Sequence, residues 1–209
     1  MPPAHSALTA PVFLLAMPQV LDPFFHKSVV LLVQHDDDEG SFGFIVNRPT
    51  GIRVTEILKG MEVGWSGRDD ALAYFGGPVQ PQTGTVLFQP EPAAEGEGTD
   101  EAAASADSEF SASASEVVPG LSITQHVGDL AQLAETPPER FRLFLGYAGW
   151  GAGQLVEEIL RNDWLTAPVS SDLVFSSEPE EVWAAAVRSV GVDPAVLPSW
   201  TPSSGDQAN

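Results

Sequence analysis

The residues best suited to recognition chemistry surround a glycine-rich segment near position 150. Trp150, Gln154 and Glu158 follow one another at intervals of four residues. If a helix begins near Ala152, Gln154 and Glu158 lie on one face of it and Trp150 precedes its first turn. An aromatic ring beside an amide and a carboxylate can recognise a partner protein. The alternative is that Trp150 packs internally and Gln154 caps neighbouring backbone groups.

The glycines of the same segment are a second candidate binding element. They occupy positions 146, 149, 151 and 153, after an apolar run at residues 142–147 that predicts a strand. A strand, a glycine-rich turn and a helix in this order often present backbone N–H groups to a ligand. However, the spacing matches neither a phosphate-binding loop nor a dinucleotide fingerprint. Tight turning and close packing are the competing explanation for these glycines.

The sequence contains no set of residues with the spacing of a catalytic or metal site. Ser28 and His26 lie two residues apart at the start of a predicted strand, so their side chains share a side without facing each other. The four histidines do not follow metal-ligand spacing, and the chain has no cysteine. Asp22, which precedes Pro23, suits an Asx-turn or a helix N-cap. The sequence therefore predicts no catalytic residue, no bound metal and no cofactor.

The charge of the chain restricts the partners that it can bind. The sequence has 29 acidic residues against nine Lys and Arg, and its formal net charge at pH 7 is −20. Proteins bind nucleic acids largely by neutralising phosphates, so this composition argues against direct nucleic-acid binding. Anionic membrane surfaces are disfavoured for the same reason. No apolar stretch reaches the roughly 18 residues of a membrane span, and the lack of cysteine fits a cytoplasmic protein.

Composition divides the chain into one predicted domain and two flexible segments. Residues 90–119 are dominated by Ala, Ser, Gly and acidic residues. Such a composition buries too little apolar surface to offset the entropy that is lost on ordering. We therefore expect a disordered acidic insertion at 90–119 within a single domain over residues 1–198. Residues 199–209 are expected to form a flexible tail.

The remaining patterns predict a mixture of strands and helices. Apolar runs predict strands at residues 12–16, 28–35, 42–46, 73–75, 84–89, 121–124, 142–147 and 172–175. Periodic apolar residues predict helices at residues 54–60, 127–134 and 179–190, and a helix after Ala152 with Leu155, Ile159 and Leu160 towards the core. Residues 47–51 have the composition of a turn. Mixed hairpins and helices indicate the α+β class.

Several motifs, taken in chain order, resemble those of the YqgE/AlgH family. They run from about residue 8 to 193 and comprise FLLAMP at 13–18, LDPFFHKSV at 21–29, His35 with GFIVNRP at 43–49, FGGP at 75–78, GYAGWGAGQLVEEI at 146–159 and NDWL at 162–165. Because the motifs occur together and in order, the resemblance is far more specific than any single motif.

The resemblance implies a fold and a location, but no established activity. It implies an α+β fold with a mixed, largely antiparallel, split or barrel-like β-sheet surrounded by helices, in a bacterial cytoplasmic protein. Members of the family carry the label of transcriptional regulator, although no recognised DNA-binding motif stands behind it. The family-like positions that are candidates for binding a ligand or partner are Asp22, Ser28, Asn47, Gly76, Gly77, Tyr147, Trp150, Gln154 and Glu158.

Protein–protein contacts are the preferred explanation of the function. The lack of catalytic and cationic residues favours a non-enzymatic, cytoplasmic regulatory or adaptor protein that binds protein partners. The alternative is a small-molecule or nucleotide-binding protein, or an enzyme, that uses the glycine loops at 76–78 and 146–153 as walls of one pocket. A third hypothesis, direct regulation of DNA, conflicts with the net charge of the chain.

Overall fold

The computed structural model of the protein describes residues 8–90 and 114–198, and the chain divides into two compact units. The first unit comprises residues 1–47 and 148–209, of which 8–47 and 148–198 are described. The second unit comprises residues 48–147, of which 48–90 and 114–147 are described. The sequence predicts one domain over residues 1–198, whereas the structure sets unit boundaries after Asn47 and after Tyr147.

The described residues form ten β-strands, five α-helices and one 3-10 helix. The strands are β1 (Val12–Ala16), β2 (Val29–Asp36), β3 (Gly40–Ile45), β4 (Pro49–Arg53), β5 (Leu72–Phe75), β6 (Val79–Phe88), β7 (Ser115–Val118), β8 (Leu121–Thr124), β9 (Phe141–Trp150) and β10 (Trp164–Ala167). The helices are α1 (Val54–Gly60), α2 (Val127–Glu135), α3 (Gln154–Leu160), α4 (Ser171–Val174), α5 (Pro179–Ser189) and the 3-10 helix Pro194–Val196. Within the same residues, no helix has both the length and the apolar character needed to cross a membrane.

The first unit is built on an antiparallel sheet in the order β10-β1-β2-β3-β9, to which β9 contributes its last three residues. The Val- and Leu-rich residues of β1 and early β2 are buried, as a continuous apolar run predicts. Helix α5 buries a face that contains Val182, Trp183, Ala186 and Val187. Trp183 Nε1 donates a hydrogen bond to the carbonyl O of Ala16 at 2.8 Å, which anchors the helix on β1.

The second unit contains a sheet in the order β4-β5-β9-β6-β8-β7. The β5–β9 pair is parallel and the other pairs are antiparallel. Helices α1 and α2 contribute Val54, Leu58, Leu130 and Leu133 to a core that also contains Phe88 of β6. The predicted α+β class, with a mixed, largely antiparallel and split sheet, is therefore confirmed.

Three local predictions are wrong. Residues 172–175 are predicted as a strand, but α4 occupies this position. A single helical turn is too short for the periodicity of its apolar residues to distinguish a helix from a strand. Residues 47–51 are predicted as a turn, but β4 begins at Pro49 and forms an edge strand, where a proline is tolerated. Leu160 is predicted to face the core and is 77% exposed, because it lies about 140° around the helix from the buried Leu155.

Strand β7 lies within the range 90–119, for which the sequence predicts a disordered insertion. Ser115–Val118 pairs antiparallel with β8, and Gly120 closes the hairpin with a φ of +78°, a conformation that suits glycine. The predicted insertion therefore includes part of the sheet at its end. Residues 91–113 and the predicted tail at 199–209 lie outside the described residues.

Strand β9 is longer than predicted and includes part of the glycine-rich segment. It continues to Trp150, so Gly146 and Gly149 are strand residues and the following turn is confined to residues 151–153. Gly146 has a φ of +68°, and a Cβ atom at this position would overlap the carbonyl O of Gly77. Close packing of the backbone therefore requires glycine at position 146.

Candidate functional site

The carboxylate of Glu158 is the centre of a hydrogen-bond network in the first unit. Its Oε2 accepts hydrogen bonds from Nε1 of Trp150 at 2.9 Å and from Nε1 of Trp164 at 2.7 Å. Its Oε1 accepts a hydrogen bond from Nε2 of Gln154 at 2.9 Å. Three neutral donors thus hold one charged side chain, and hydrogen bonds to a charged acceptor are stronger than those between neutral groups.

Helix α3 and the strands on either side of it in the chain bring these donors to Glu158. The helix places Gln154 and Glu158 one turn apart on the same face, as their four-residue spacing predicts. Trp150 is the last residue of β9, and Trp164 is the first residue of β10. The network therefore ties the short helix to the ends of two strands.

Phe25, Trp150 and Trp164 form an aromatic cluster beside this network. The ring centroids of Phe25 and Trp150 lie 6.3 Å apart, and those of the other two pairs lie 5.8 Å apart. Trp164 meets both neighbouring rings edge to face, a favoured geometry for aromatic pairs. Trp150 and Trp164 are only 7% and 6% exposed, so these rings are largely packed.

Asp22 organises the turn that carries Phe25. Its Oδ1 accepts a hydrogen bond from the backbone N–H of Phe24 at 2.8 Å. Its carbonyl O accepts hydrogen bonds from the backbone N–H groups of Phe25 at 3.0 Å and His26 at 2.8 Å. The predicted Asx-turn is therefore confirmed. Because Asp22 is exposed, its carboxylate is accessible to solvent while its backbone positions the aromatic ring.

The network and the aromatic cluster line an open cleft of about 390 Å³, which we call the Glu158 cleft. All of its lining residues belong to the first unit. Its volume lies near the lower end of the roughly 300–1,000 Å³ that is typical of small-ligand pockets. The side chains that define it are those of Asp22, Phe25, Trp150, Gln154, Glu158 and Trp164.

The charged groups that line the Glu158 cleft are mostly acidic. Asp22, Glu158 and Asp163 line it together with a single cation, Arg161. Arg161 donates hydrogen bonds to Oδ2 of Asp163 through Nε at 3.1 Å and Nη2 at 2.9 Å. Hydrogen bonding to Asp163 raises the pKa of Arg161 above its usual range. Three carboxylates against one guanidinium leave the lining with an excess of two negative charges.

Gln154 also supports the local backbone. Its Oε1 accepts a hydrogen bond from the backbone N–H of Gly151 at 3.1 Å, so it caps the turn before α3. Together with the low exposure of Trp150, this contact matches the structural alternative for both residues. Gln154 is nevertheless exposed and lines the cleft, so its capping contact is compatible with contact to a partner.

Ser28 and Asn47 lie together at the start of β2 and do not line the Glu158 cleft. The buried Asn47 accepts a hydrogen bond from the N–H of Val29 through Oδ1 at 2.9 Å and donates to the carbonyl O of Lys27 through Nδ2 at 3.0 Å. Ser28 is fully buried, and its Oγ has no hydrogen-bond partner among the described residues. Asn47 thus holds the backbone that enters the sheet, and no base activates Ser28 in this arrangement.

Gly76, Gly77 and Tyr147 belong to the second unit and are likewise absent from the lining of the Glu158 cleft. The N–H of Gly76 donates to the carbonyl O of Leu145 at 2.8 Å, and Tyr147 pairs with β6. Gly77 packs so closely on Gly146 that no side chain fits at the latter position. Within this unit, the two glycine segments therefore contact each other through their backbones.

Phe25, Trp164, Arg161 and Asp163 complete the Glu158 cleft but are not predicted as site residues from the sequence. Phe25 lies in the motif at residues 21–29, and the other three lie in or beside the motif at 162–165. The aromatic residues within both motifs are the sequence feature that could have identified Phe25 and Trp164 as site residues. The ion pair of Arg161 and Asp163 has no such signal, because charged residues two positions apart are not neighbours on a helix face.

A second polar cluster connects β2 and β3 at their hairpin. His35 Nδ1 lies 2.7 Å from Oγ of Ser41, and His35 Nε2 lies 3.1 Å from Oδ1 of Asp37. Asp36 Oδ1 accepts hydrogen bonds from two backbone N–H groups of the turn, which lower the pKa of Asp36. These contacts hold the hairpin in shape. In the part of the chain that the structure describes, no group of three or more His, Asp or Glu side chains is arranged to hold a metal ion.

The fold and the site define an α+β protein with an acidic, aromatic-lined cleft. Residues 13–195 match the family described as AlgH-like, DUF179. The chain therefore belongs to the AlgH-like family, and the family predicted from the sequence motifs is confirmed.

The relatives of this chain cover nearly its whole length. A UPF0301 protein of Myxococcus xanthus is 38% identical over 189 residues, which span 90% of this chain and 94% of that protein. A UPF0301 protein of Cupriavidus metallidurans is 38% identical over 188 residues, 88% of this chain and 90% of that protein. The solution structure of AlgH from Pseudomonas aeruginosa has a TM-score of 0.67 and 31% identity, and the match covers 91% of this chain and 93% of AlgH. A crystal structure from Corynebacterium diphtheriae, with a TM-score of 0.62, 22% identity and 85% coverage of each chain, supports the fold alone.

Proposed function

We propose that this protein is a non-enzymatic regulatory or adaptor protein of the bacterial cytoplasm, which binds a protein partner at the Glu158 cleft. The observation that carries the proposal is the composition of the cleft wall. It combines a carboxylate held by three donors with two tryptophan rings and an exposed amide. Tryptophan in a preorganised, partly desolvated setting is typical of the energetic centres of protein interfaces.

The rim of the Glu158 cleft supports a protein partner. Leu21 lines the cleft and is 45% exposed; Phe24, on the same turn but outside the cleft lining, is 47% exposed. The Asx-turn of Asp22 holds the backbone between them. Apolar side chains on an ordered turn lose little entropy on association, so they contribute efficiently to an interface.

The hydrogen bonding of Glu158 favours recognition over acid–base catalysis. A general base needs an oxygen within hydrogen-bond reach of the proton that it removes. Oε2 of Glu158 already accepts two indole N–H groups, and Oε1 accepts an amide N–H. Three of the roughly four acceptor sites of the carboxylate are therefore occupied, which favours a fixed charge for recognition over removal of a proton from a substrate.

The net charge supports regulation through proteins rather than through DNA. A formal charge of −20 repels a polyanion and attracts basic surfaces at long range. The lack of cysteine and of catalytic spacing in the sequence supports the cytoplasmic, non-enzymatic part of the proposal.

Site-specific photocrosslinking in bacterial cells tests this proposal. A benzophenone amino acid replaces Phe24, which is aromatic, 47% exposed and lies between the cleft-lining residues Asp22 and Phe25. The matched control position is Val196, which is 74% exposed on the 3-10 helix of the same unit and belongs neither to the cleft lining nor to the turn of Asp22. We expect a discrete crosslinked protein from position 24 and none from position 196. We also expect that Gln154→Ala weakens this crosslink.

The result can contradict the proposal in two ways. Identical crosslinks from positions 24 and 196 would show that the partner does not bind preferentially at the cleft. A position-24 crosslink that Gln154→Ala leaves unchanged, in a protein whose circular dichroism is unaltered, would place the partner elsewhere.

A small molecule is a second candidate occupant, because the cleft volume of about 390 Å³ suits a metabolite-sized ligand. Thermal-shift measurements with a panel of metabolites and nucleotides test this function. A ligand at 100 times its dissociation constant stabilises the folded state by roughly 2.7 kcal/mol, which is readily detected. A panel without any shift at millimolar concentration would leave the protein partner as the only proposal for the cleft.

A further inference from the structure

We infer that the occupant of the Glu158 cleft is a basic peptide segment of the partner, which inserts a lysine or arginine side chain between Asp22 and Glu158. This inference rests on the proposed function, because it specifies the chemistry of the partner that the cleft binds. Both carboxylates line the same cleft, one exposed at its rim and one half-buried in its wall.

The first argument is the charge of the cleft lining. Arg161 is committed to Asp163 by two hydrogen bonds to the same carboxylate oxygen. Asp22 and Glu158 are held by neutral donors instead, namely the Phe24 amide in one case and two indoles and an amide in the other. Arg161 also attracts Glu158 electrostatically, but its side-chain hydrogen bonds go to Asp163. The neutral donors orient Asp22 and Glu158 without cancelling their charge. An entering cation therefore gains Coulomb attraction from both.

The second argument is the presence of tryptophan rings beside those carboxylates. A cation over an indole face is attracted by the ring quadrupole, and tryptophan is the strongest aromatic partner for this interaction. Trp150 and Trp164 both donate their N–H groups to the Glu158 anion. Hydrogen bonding to an anion polarises the donor, which makes each ring a better partner for a cation. Although only 7% of Trp150 and 6% of Trp164 is exposed, both residues line the cleft, where the network holds them beside the carboxylate.

The third argument is the apolar rim. Lysine and arginine side chains place their methylene groups on apolar surface while their charge stays in a polar setting. Leu21 directly precedes Asp22, Phe24 lies two residues after it, and both expose nearly half of their surface. Their position suits the stem and the apolar neighbours of a basic side chain. A purely apolar peptide would desolvate the carboxylates without compensation, and an acidic peptide would be repelled.

The probe is a set of three short peptides that differ at one central residue. Each is acetylated and amidated, with alanine and leucine on both sides of arginine, norleucine or glutamate. Binding to the full-length, 15N-labelled protein is followed through its tryptophan indole N–H signals. Trp150 and Trp164 report on the cleft. Trp65 and Trp183, whose indoles donate to the carbonyl O of Arg68 and Ala16, serve as internal controls.

We expect the arginine peptide to shift the Trp150 and Trp164 indole signals with saturation and to leave the two control signals in place. Substitution of phenylalanine for each cleft tryptophan in turn assigns the two signals. The norleucine and glutamate peptides are expected to bind at least tenfold more weakly. The affinity of the arginine peptide should fall as salt is raised, because partly exposed charges are screened.

Asp22→Asn tests the charge at the rim without disturbing the turn, because asparagine retains the Oδ1 that accepts from Phe24. We expect it to weaken arginine-peptide binding about two- to fivefold, the range of an exposed ion pair. The matched control is Asp193→Asn. Asp193 is also exposed, its Oδ1 accepts from the N–H of Ala195 at 2.9 Å, and it lies outside the cleft lining. This control should leave binding unchanged.

The outcomes separate the basic peptide from the proposed function. Equal shifts from the norleucine or glutamate peptide would overturn the basic occupant while keeping the cleft as a peptide site. If no peptide shifts the two indoles although position 24 still crosslinks to a protein in cells, the basic occupant is wrong and the proposed function stands. Loss of both the shifts and the crosslink would overturn both. If Asp22→Asn and Asp193→Asn weaken binding equally, the overall charge of the protein explains the attraction. The proposed position of the basic side chain beside Asp22 would then be wrong.

Discussion

Removal of the Glu158 carboxylate is the sharpest test of the network that organises the cleft. The carboxylate accepts three hydrogen bonds, two of them from indoles of tryptophans that are less than a tenth exposed. A hydrogen bond to a charged group contributes about 1.5–3 kcal/mol, and a buried donor left without a partner costs about 1–3 kcal/mol. The three bonds share one acceptor, so their contributions do not add. We expect Glu158→Ala to lower the free energy of unfolding by about 3–5 kcal/mol.

Glu157→Ala is the matched control for this substitution. Glu157 precedes Glu158 on the same helix and is exposed, so the variant makes the same change in charge and in helix propensity. We expect an effect of no more than about 0.5 kcal/mol, which is usual for exposed positions. Thermal unfolding measures both variants. For a chain of this size, 1 kcal/mol corresponds to about 2–4 °C, so Glu158→Ala should lower Tm by roughly 6–20 °C.

Hydrogen exchange of the tryptophan indoles shows which part of the structure Glu158→Ala disturbs. Exchange of the Trp150 and Trp164 indole hydrogens with solvent should accelerate in Glu158→Ala, whereas that of Trp183 should not, because its indole donates to Ala16. Glu158→Gln should lie between the wild type and the alanine variant. The amide oxygen of the new glutamine can still accept hydrogen bonds from both indoles. Its NH2 group would then face Nε2 of Gln154, which is also a donor. Equal Tm values for Glu158→Ala and Glu157→Ala would refute the structural importance of the network.

Three further substitutions test the fold around the candidate residues. Asn47→Ala should lower the free energy of unfolding by about 2–4 kcal/mol in a urea titration, because the buried amide makes two hydrogen bonds to backbone groups; a change below that of an exposed alanine substitution would contradict its structural role. Gly146→Ala should be more destabilising than Gly153→Ala, which serves as its control: both glycines have positive φ, costing about 1–2 kcal/mol for an L residue, but only the Cβ at position 146 overlaps a backbone atom. Equal losses from the two glycine variants would disprove the close packing. Asp36→Asn should flatten the acid limb of the stability-versus-pH curve: the pKa of Asp36 is lowered by backbone N–H groups, so its contribution is present above the ordinary aspartate pKa and is lost as the pH falls through the lowered value. Parallel curves for the two proteins would contradict this assignment.

Much of the fold could be predicted because the sequence signals are local. The apolar runs predict β1 and β2, and the periodic apolar residues predict the helix α5. The errors occur where an element is too short to show a period, as in α4, or where pairing with another strand decides the outcome. Strand β4 contains proline and glycine, and its extended conformation depends on pairing with β5. A tertiary partner of this kind is not visible in a short window of sequence.

The residues of the candidate site likewise include some that local sequence predicts and others that only the tertiary structure brings together. The four-residue spacing predicts that Gln154 and Glu158 share a helix face, because helix geometry alone decides it. Phe25 and Trp164 reach the same cleft only through the register of the sheet. Strand β1 pairs with β10, so the turn that follows β1 and the residue that begins β10 meet near the last residue of β9. The prediction of Ser28 and Asn47 as site residues rests on the family-like motifs alone. Such a resemblance does not distinguish a residue that supports the fold from a residue that binds a partner.

Glu158 and Asp22 offer a way to separate the stability of the cleft from recognition by it. Glu158 holds the two tryptophans in place, so its loss alters the fold and the binding surface together. Asp22 lines the same cleft, but its turn needs only an acceptor oxygen at Oδ1, which asparagine also provides. Asp22→Asn should therefore leave Tm within about 2 °C of the wild type, since exposed substitutions change stability by no more than about 0.5 kcal/mol. If this variant weakens basic-peptide binding at an unchanged Tm, charge at the rim acts in recognition. If Tm and binding fall together, Asp22 is a structural residue, and the recognition of cations must depend on Glu158 and the aromatic rings alone.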